Sequence, residues 1–255
     1  MLKYYGADTE FSLAGKVAIV TGGAAGIGNA TATFFAKKGV KVLIADMSEK
    51  TEEAAAALGA DCIGVRGNLL DEACRKAVLA TAVERFGGMD ILVNCAGIVA
   101  LDNAETLSEE MWDRTMAVNL KASFMMAQAV GKYLIDAGKS GSIVNMASQA
   151  GVIALDKHVA YCASKGAIIA RTKVMAYEWG KYGIRVNAVS PTVVLTELGK
   201  KAWAGEVGEA FKKKMPSERF AETDEIAGSI AFLCSGAAGM ITGHNLVIDG
   251  GYTIQ

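Results

Sequence analysis

The stretch His158–Ala167, HVAYCASKGA, sets a phenol and an ammonium four residues apart, Tyr161 and Lys165, with only small side chains between them. On a helix, positions i and i+4 share one face. A free tyrosine ionises near pH ~10, too high for a base at neutral pH. A neighbouring ammonium favours the phenolate and lowers that value. In isolation the same spacing reads as an amphipathic helix with a half-buried tyrosine and a solvated lysine. Ser148 turns the balance toward chemistry. It ends a β-branched run 13 residues before Tyr161, where a hydroxyl can hydrogen-bond a substrate oxygen beside the phenol. Asn119, in MAVNLKASF, lies on a helix expected to cross behind the pair and to hold a water against Lys165.

A second group of residues has the pattern of a nucleotide site. The run TGGAAGIG, Thr21–Gly28, lies between an apolar strand and an Ala-rich helical stretch. Gly22, Gly26 and Gly28 permit a tight turn and close backbone approach to a pyrophosphate, with free N–H groups at the helix start beside Ile27. The spacing is G-x-x-x-G-x-G, and by itself it is as consistent with a plain turn. Asp46, 18 residues beyond Gly28, closes the second strand ahead of Met47. A carboxylate there can accept both ribose hydroxyls and would repel a 2′-phosphate, so NAD is expected over NADP. Within the sequence no Lys or Arg follows it before Lys50. Asn68 and Leu69 follow the third strand, where an adenine would rest. NCAG, Asn94–Gly97, ends the fourth strand, with Ala96 and Gly97 leaving room for a cofactor. Asn94 is also a candidate bridge between strands, and the two roles are compatible.

These groups need a scaffold, and the chain alternates accordingly. Seven β-branched runs are expected to be strands, at 16–22, 40–46, 61–67, 90–97, 141–148, 184–191 and 244–251. Between them lie about six stretches of helical period. Near-continuous apolar strands alternating with helices predict an α/β fold: one Rossmann-type doubly wound domain, a seven-stranded parallel sheet with helices on both faces. Ser108 and Thr223, each followed by two acids, are expected to be helix N-caps; Gly39 and Gly87 are expected to stop helices. Residues 1–14 read as an N-terminal arm. Residues 192–219 read as an irregular substrate loop or lid inside a single domain spanning 1–255.

Composition narrows the function further. The 255 residues are 52% hydrophobic, enough for one packed domain, and carry 26 basic against 27 acidic side chains. No basic block suggests nucleic acid. No apolar run reaches the ~20 residues of a membrane span. The first residues have no signal-peptide pattern. Five scattered cysteines and two histidines fit reduced thiols in a cytoplasmic protein without a bound metal.

TGGAAGIG, Asp46, NCAG, Asn119, Ser148, YCASK and the closing ITGHNLVIDGG occur in one order. On these motifs the chain resembles the short-chain dehydrogenase/reductase family over nearly its whole length. The resemblance implies a nicotinamide cofactor and a catalytic tetrad. Tyr161 would be the acid/base, Ser148 the polarising group, Lys165 the ribose anchor and Asn119 the holder of a relay water. It extends the cofactor set to Pro191, Val194 and Thr196 and implies a homotetramer. Asn68 in place of a more usual Asp, and Cys95 in place of a second Asn, depart mildly from the family pattern.

A narrower resemblance, best over 148–203, is to the L-xylulose reductase branch, which reduces sugar ketones. It implies a substrate pocket of Ser148, Gln149, His158, Tyr161 and Trp203. Read as residues alone, Gln149 is as well an exposed turn residue, His158 a solvated loop residue and Trp203 a lid residue packed on its own helix. Asp46 departs from that branch, which uses NADP. The expectation is an NAD-dependent dehydrogenase of a C4–C6 polyol such as xylitol, threitol, arabinitol or sorbitol. The rivals are a sugar-acid dehydrogenase of the 2-deoxygluconate type, using Lys157, Lys200 or Lys201, and a 3-oxoacyl carrier-protein reductase. A non-catalytic nucleotide sensor would not keep the whole tetrad.

Overall fold

The structure, a computed structural model, describes residues 8–254. Its centre is a seven-stranded, all-parallel sheet of β1 (Val17–Thr21), β2 (Lys41–Asp46), β3 (Cys62–Arg66), β4 (Ile91–Asn94), β5 (Gly141–Met146), β6 (Ile184–Pro191) and β7 (Asn245–Ile248). The spatial order is β3-β2-β1-β4-β5-β6-β7. Each expected strand is present; β6 keeps its full span and the others are trimmed by one to four residues. The runs are apolar throughout because both sheet faces are buried. In β1, Ala18 and Val20 face one core layer while Val17 and Ile19 face the other. The first layer is closed by α1 (Gly26–Lys37), α2 (Thr51–Leu58) and α9 (Thr223–Cys234). The second is closed by α3 (Glu72–Phe86), α5 (Ser123–Asp136) and α6 (Val159–Trp179).

Strand order reverses at β1. Chain leaves β1 toward β2 and re-enters beyond it at β4, so the carboxyl ends of β1 and β4 flank a crevice. The glycines of the first turn are what let that crevice exist. Gly22 has φ +66° and passes so close to the end of β4 that a Cβ would stand 2.8 Å from the Ala96 nitrogen. At Gly28 a Cβ would lie 2.1 Å from the Gly22 carbonyl oxygen, so any side chain there would displace the turn.

Three local expectations need correction. Thr223 is the first residue inside α9 and not its cap. Glu222 is the cap, in a reciprocal box with Glu225, whose carboxylate accepts the Glu222 N–H at 2.9 Å. The lid region is more regular than its composition suggests, with α7 (Glu197–Ala202) and α8 (Glu206–Lys212) inside it. Adding α4 (Glu109–Thr115), nine α-helices occur among the described residues against about six expected. The arm is described only from Asp8, and that part is docked: Leu13 is buried and the Phe11 and Phe232 rings are 5.9 Å apart. Ser108 caps α4 as expected, accepting the Met111 N–H at 3.2 Å, and Gly87 ends α3 at φ +82°.

Candidate active site

Four elements bring the tetrad together. β5 ends just before Ser148. A three-residue 3-10 turn, Gln149–Gly151, then leads round to α6 with Tyr161 and Lys165 in its first two turns. Lys165 is 3% exposed, and its Nζ donates to the Met146 carbonyl at 2.7 Å and stands 5.4 Å from the Tyr161 ring centre. The Ser148 hydroxyl accepts the Ala150 N–H at 3.1 Å. That use of its lone pair leaves its proton for another partner.

Asn119 lies in a widened, π-helical turn, Met116–Ala122, between α4 and α5. π-type turns are rare and concentrate at functional sites. Its side chain is fully engaged: Oδ1 accepts the Ile98 N–H at 2.8 Å, and Nδ2 donates to the Ile98 carbonyl at 2.9 Å and the Ser164 hydroxyl at 3.1 Å. Asn119 thus fastens the end of β4 to α6. Gly97 sits between the tetrad members, where a Cβ would be 3.2 Å from Asn119 Oδ1 and 3.7 Å from Lys165 Nζ.

The electrostatics differ from the sequence expectation. Burial pushes the Tyr161 phenol above its usual value; hydrogen bonding with Ser148 works against this, and Cys162 adds a little to the rise. Lys165, with its Nζ 5.4 Å from the ring centre, does not offset that rise. Burial lowers Lys165 to about 8, Cys95 opposes that, and Arg171 reinforces it. Desolvation disfavours both charged forms at once.

The nucleotide residues all gather at the carboxyl ends of the strands. Gly22, Gly26, Ile27 and Gly28 form the β1–α1 turn, whose helix start has no side-chain cap and no acid in its first turn, so its N–H groups face no built-in anion. Asp46 is engaged more than expected: one carboxylate oxygen accepts the Ala24 N–H at 3.1 Å and the other the Ser48 N–H at 3.0 Å. It fastens the glycine turn to β2, and each oxygen keeps a further lone pair for a ribose hydroxyl. Met47 is 64% exposed beside it. Asn68 Oδ1 accepts the Leu70 N–H at 3.0 Å. These features fit a dinucleotide, with the uncapped turn at the pyrophosphate and Asp46 at the ribose.

Several side chains in that set prove structural. Asn94 Nδ2 donates to the Ser123 carbonyl at 3.1 Å and to Asn145 Oδ1 at 3.0 Å, so the bridging role holds. Leu69 and Val194 place their side chains in the two core layers. The Thr196 hydroxyl caps α7, accepting the Gly199 N–H at 3.0 Å, and its methyl would lie 3.3 Å from a Cβ at Gly26. Pro191 closes β6 and is buried. These four residues, together with Asn94, offer a ligand mainly backbone. Sequence reading missed Arg66, which pairs with Asp46 across the β2–β3 ladder and is bridged to Glu49 at 3.1 Å. A cation therefore does stand beside the ribose end, brought there by register and not by sequence proximity.

Among the substrate candidates, Gln149 departs furthest from an exposed turn residue. It is 2% exposed, and its Oε1 is buried without a partner. Such an oxygen costs about 1–3 kcal/mol unless something donates to it. His158 packs edge-on to Tyr161, ring centres 5.9 Å apart. Its Nδ1 lies against the Asp156 carbonyl; donation there selects the tautomer whose Nε2 accepts. Trp203 is half-buried in an aromatic cluster, 4.7 Å from Phe211 and 5.9 Å from Phe220, so it packs beyond its own helix. Thr192 Oγ1 is a further buried atom without a partner.

Comparison with known proteins agrees with this geometry. A family model described as enoyl-(acyl carrier protein) reductase matches residues 22–253. An NAD-dependent glycerol dehydrogenase of Listeria innocua is 51% identical over 255 residues, all of both chains. A D-threitol dehydrogenase of Mycolicibacterium smegmatis is 54% identical over 252 residues, 97% of this chain and 96% of that one. An L-xylulose reductase of Mus musculus is 38% identical over 244 residues, 95% and 98% of the two chains. The crystal structure of a short-chain type dehydrogenase/reductase from Mycobacterium marinum superposes with a TM-score of 0.89 at 33% identity, covering 96% of this chain and 98% of that one. Fold, site and likeness converge: the chain belongs to the short-chain dehydrogenase/reductase family.

Proposed function

We propose that the protein interconverts a secondary alcohol of a small polyol and the corresponding ketose, with NAD as cofactor and Tyr161 as acid/base. One observation carries the substrate class. Next to Ser148, the buried Gln149 holds an oxygen with no partner, an acceptor suited to a hydroxyl of a neutral, hydroxyl-rich substrate. The names of the relatives that are 51% and 54% identical, glycerol and threitol dehydrogenase, support the same class and add a three-carbon member to the C4–C6 range. The NAD preference rests on Asp46. The sugar-acid alternative needs a cation at the pocket: Lys200 is paired with Glu197 at 3.1 Å, while Lys157 and Lys201 have no carboxylate within 4.0 Å among the described residues, so sugar acids belong in the same substrate panel.

Held by the Gly22–Gly28 turn and Asp46, a nicotinamide cofactor would supply the acceptor for a hydride from the carbinol carbon. The protein's residues manage the proton and the geometry. The Tyr161 phenolate takes the hydroxyl proton of the substrate. Ser148, whose lone pair is occupied by Ala150, donates to the substrate oxygen. His158 Nε2 and Gln149 Oε1 accept neighbouring hydroxyls and set which carbon faces the phenol. Because burial holds the phenol protonated, alcohol oxidation gains as pH rises and ketone reduction gains as it falls.

The exposed apolar surface of α6, with Tyr177 90% and Val174 55% exposed, supports assembly as a homotetramer; a monomer in sedimentation would remove that part. The five unpaired cysteines support a reducing, cytoplasmic setting. The test of the main reading is the initial rate of NAD reduction over C3–C6 polyols, with NADP as control and Tyr161→Phe alongside. The variant should lose about 10³-fold or more in turnover while still binding NAD. If no polyol reduces NAD above background and another alcohol class does, the substrate assignment fails. An unchanged Tyr161→Phe would remove the acid/base assignment.

A further inference from the structure

Arg171 lies on α6 six residues beyond Lys165, a rise of about 9 Å. Burial lowers it to about 10, and its Nε is enclosed without a partner. Among the described residues no carboxylate lies within 4.0 Å of its guanidinium. Hydrogen bonds, and not an ion pair within the chain, hold this guanidinium in place.

Its remaining N–H groups show which elements it joins. Nη1 donates to the Leu120 carbonyl at 3.1 Å; Nη2 donates to the Ser123 hydroxyl at 2.8 Å and Asn145 Oδ1 at 3.4 Å. Leu120 belongs to the π-helical turn, and the Ser123 hydroxyl donates in turn to the Asn119 carbonyl. The guanidinium therefore grips the widened turn immediately after Asn119. From Asn119 the bonds continue to Ser164, whose hydroxyl donates to the Tyr161 carbonyl at 2.8 Å.

We propose that Arg171 is a positioning residue for the reaction, clamping the turn that presents Asn119 and fixing a positive charge behind Lys165. The inference rests on reading the tetrad as catalytic. The charged and titratable groups around Lys165 are Cys95 at the end of β4 and Tyr161 and Arg171 on its own helix. Around Arg171, Asp113 and Lys121 line a cavity of about 600 Å3 on one side; Lys132, Asp136 and Glu178 line a second on the other. Arg171 acts on Lys165 in the direction that favours its neutral form.

The experiment uses the full chain with Arg171→Met and Arg171→Lys. Lys165 is followed by NMR of 13Cε-labelled lysine, assigned with Lys165→Met, and steady-state kinetics are measured beside it. Removing the charge should raise the Lys165 titration, because Arg171 acts on Lys165 in the direction of its neutral form. In Arg171→Met, kcat should fall about ten-fold or more while KM for NAD stays within about three-fold. Arg171→Lys should return the titration to its wild-type position but restore kcat only in part, because an ammonium cannot reproduce the two-armed grip. A Lys165 titration unmoved in Arg171→Met, or lower thermal stability with kcat intact, would overturn the proposal. If Arg171→Met does not fold, a wild-type kcat in Arg171→Lys overturns it and a reduced one sustains it. The NMR readout needs no polyol, so it separates a failure here from a wrong substrate class.

Discussion

Replacing Lys165 with methionine should separate the cost of a buried charge from its use. In the folded protein Lys165 titrates near about 8, against 10.5 for a free lysine. That interval corresponds to about 3 kcal/mol of disfavoured charge at pH values well below 8. Between about pH 8 and 10.5 the unfolded chain holds a proton that the folded chain has released. Stability therefore climbs with pH through that window. From pH 6.5 to 9.5 the contribution of Lys165 should improve by about 2 kcal/mol. Lys165→Met removes this term and leaves the Met146 carbonyl without its donor, a loss of about 1–3 kcal/mol that does not depend on pH. The stability difference, variant minus wild type, should thus shrink by about 2 kcal/mol between the two pH values. Urea unfolding of both proteins at pH 6.5 and 9.5 measures it directly. The raised thiols of Cys95 and Cys234, both pushed to about 12, act in the opposite sense above pH ~9. Cys95 is coupled to Lys165, but losing the lysine only moves its thiol further up, so it stays protonated in both folded proteins to pH ~9.5 and the difference still reports Lys165. A gap that stays constant within about 0.5 kcal/mol would refute the view of Lys165 as a desolvated cation.

Gln149→Leu should have opposite effects on stability and function. Removing the unpartnered Oε1 should stabilise the fold by about 1 kcal/mol in thermal melts while raising the polyol KM about ten-fold or more; a destabilised variant with unchanged KM would contradict the pocket assignment. Asp46→Ser should raise the NADP-to-NAD ratio of kcat/KM by about ten-fold or more, since Arg66 is the ladder neighbour of position 46. Adding Glu49→Gln frees Arg66 and should raise the ratio again; a ratio that does not move would mean that Asp46 does not face the ribose. Gly28→Ala should weaken NAD binding and cost about 3 kcal/mol or more in urea unfolding, because its methyl would meet the Gly22 carbonyl at 2.1 Å.

Much of this was legible in the sequence because it is local. A parallel strand buried on both faces must be apolar throughout, so each of the seven runs marks its strand to within a few residues. Tyr161 and Lys165 need only one helix to meet, and Ser148 only the end of one strand. What the sequence hides depends on register and on distant partners. Arg66 reaches Asp46 through the β2–β3 ladder, and Asn119 reaches Ile98 and Ser164 only when the π-helical turn meets β4 and α6. Gln149 follows a hydroxyl and precedes small residues, which reads as an exposed turn, yet the turn is packed under α6 and the amide is buried with it. Leu69 and Val194, expected at the cofactor, lie in the segments after β3 and β6, where the backbone turns their side chains into the core layers. The expectation that Lys165 lowers the Tyr161 phenol failed for a different reason. Spacing alone does not say how much water the pair keeps.

The aromatic cluster has a consequence for how the cleft opens. Trp203 leans on Phe211, and Phe211 stacks on Tyr252 at 4.8 Å, beyond β7. The Ser217 N–H donates to the Gly250 carbonyl at 3.1 Å, fastening the other end of the same segment to the same turn. These contacts tie residues 197–220 to the turn after β7, and hydrogen exchange should show their protected amides exchanging together. Opening of this segment would then depend on contacts that lie far from Tyr161 in sequence. A substitution at Tyr252 would change how long a polyol stays bound before it changes how fast it reacts.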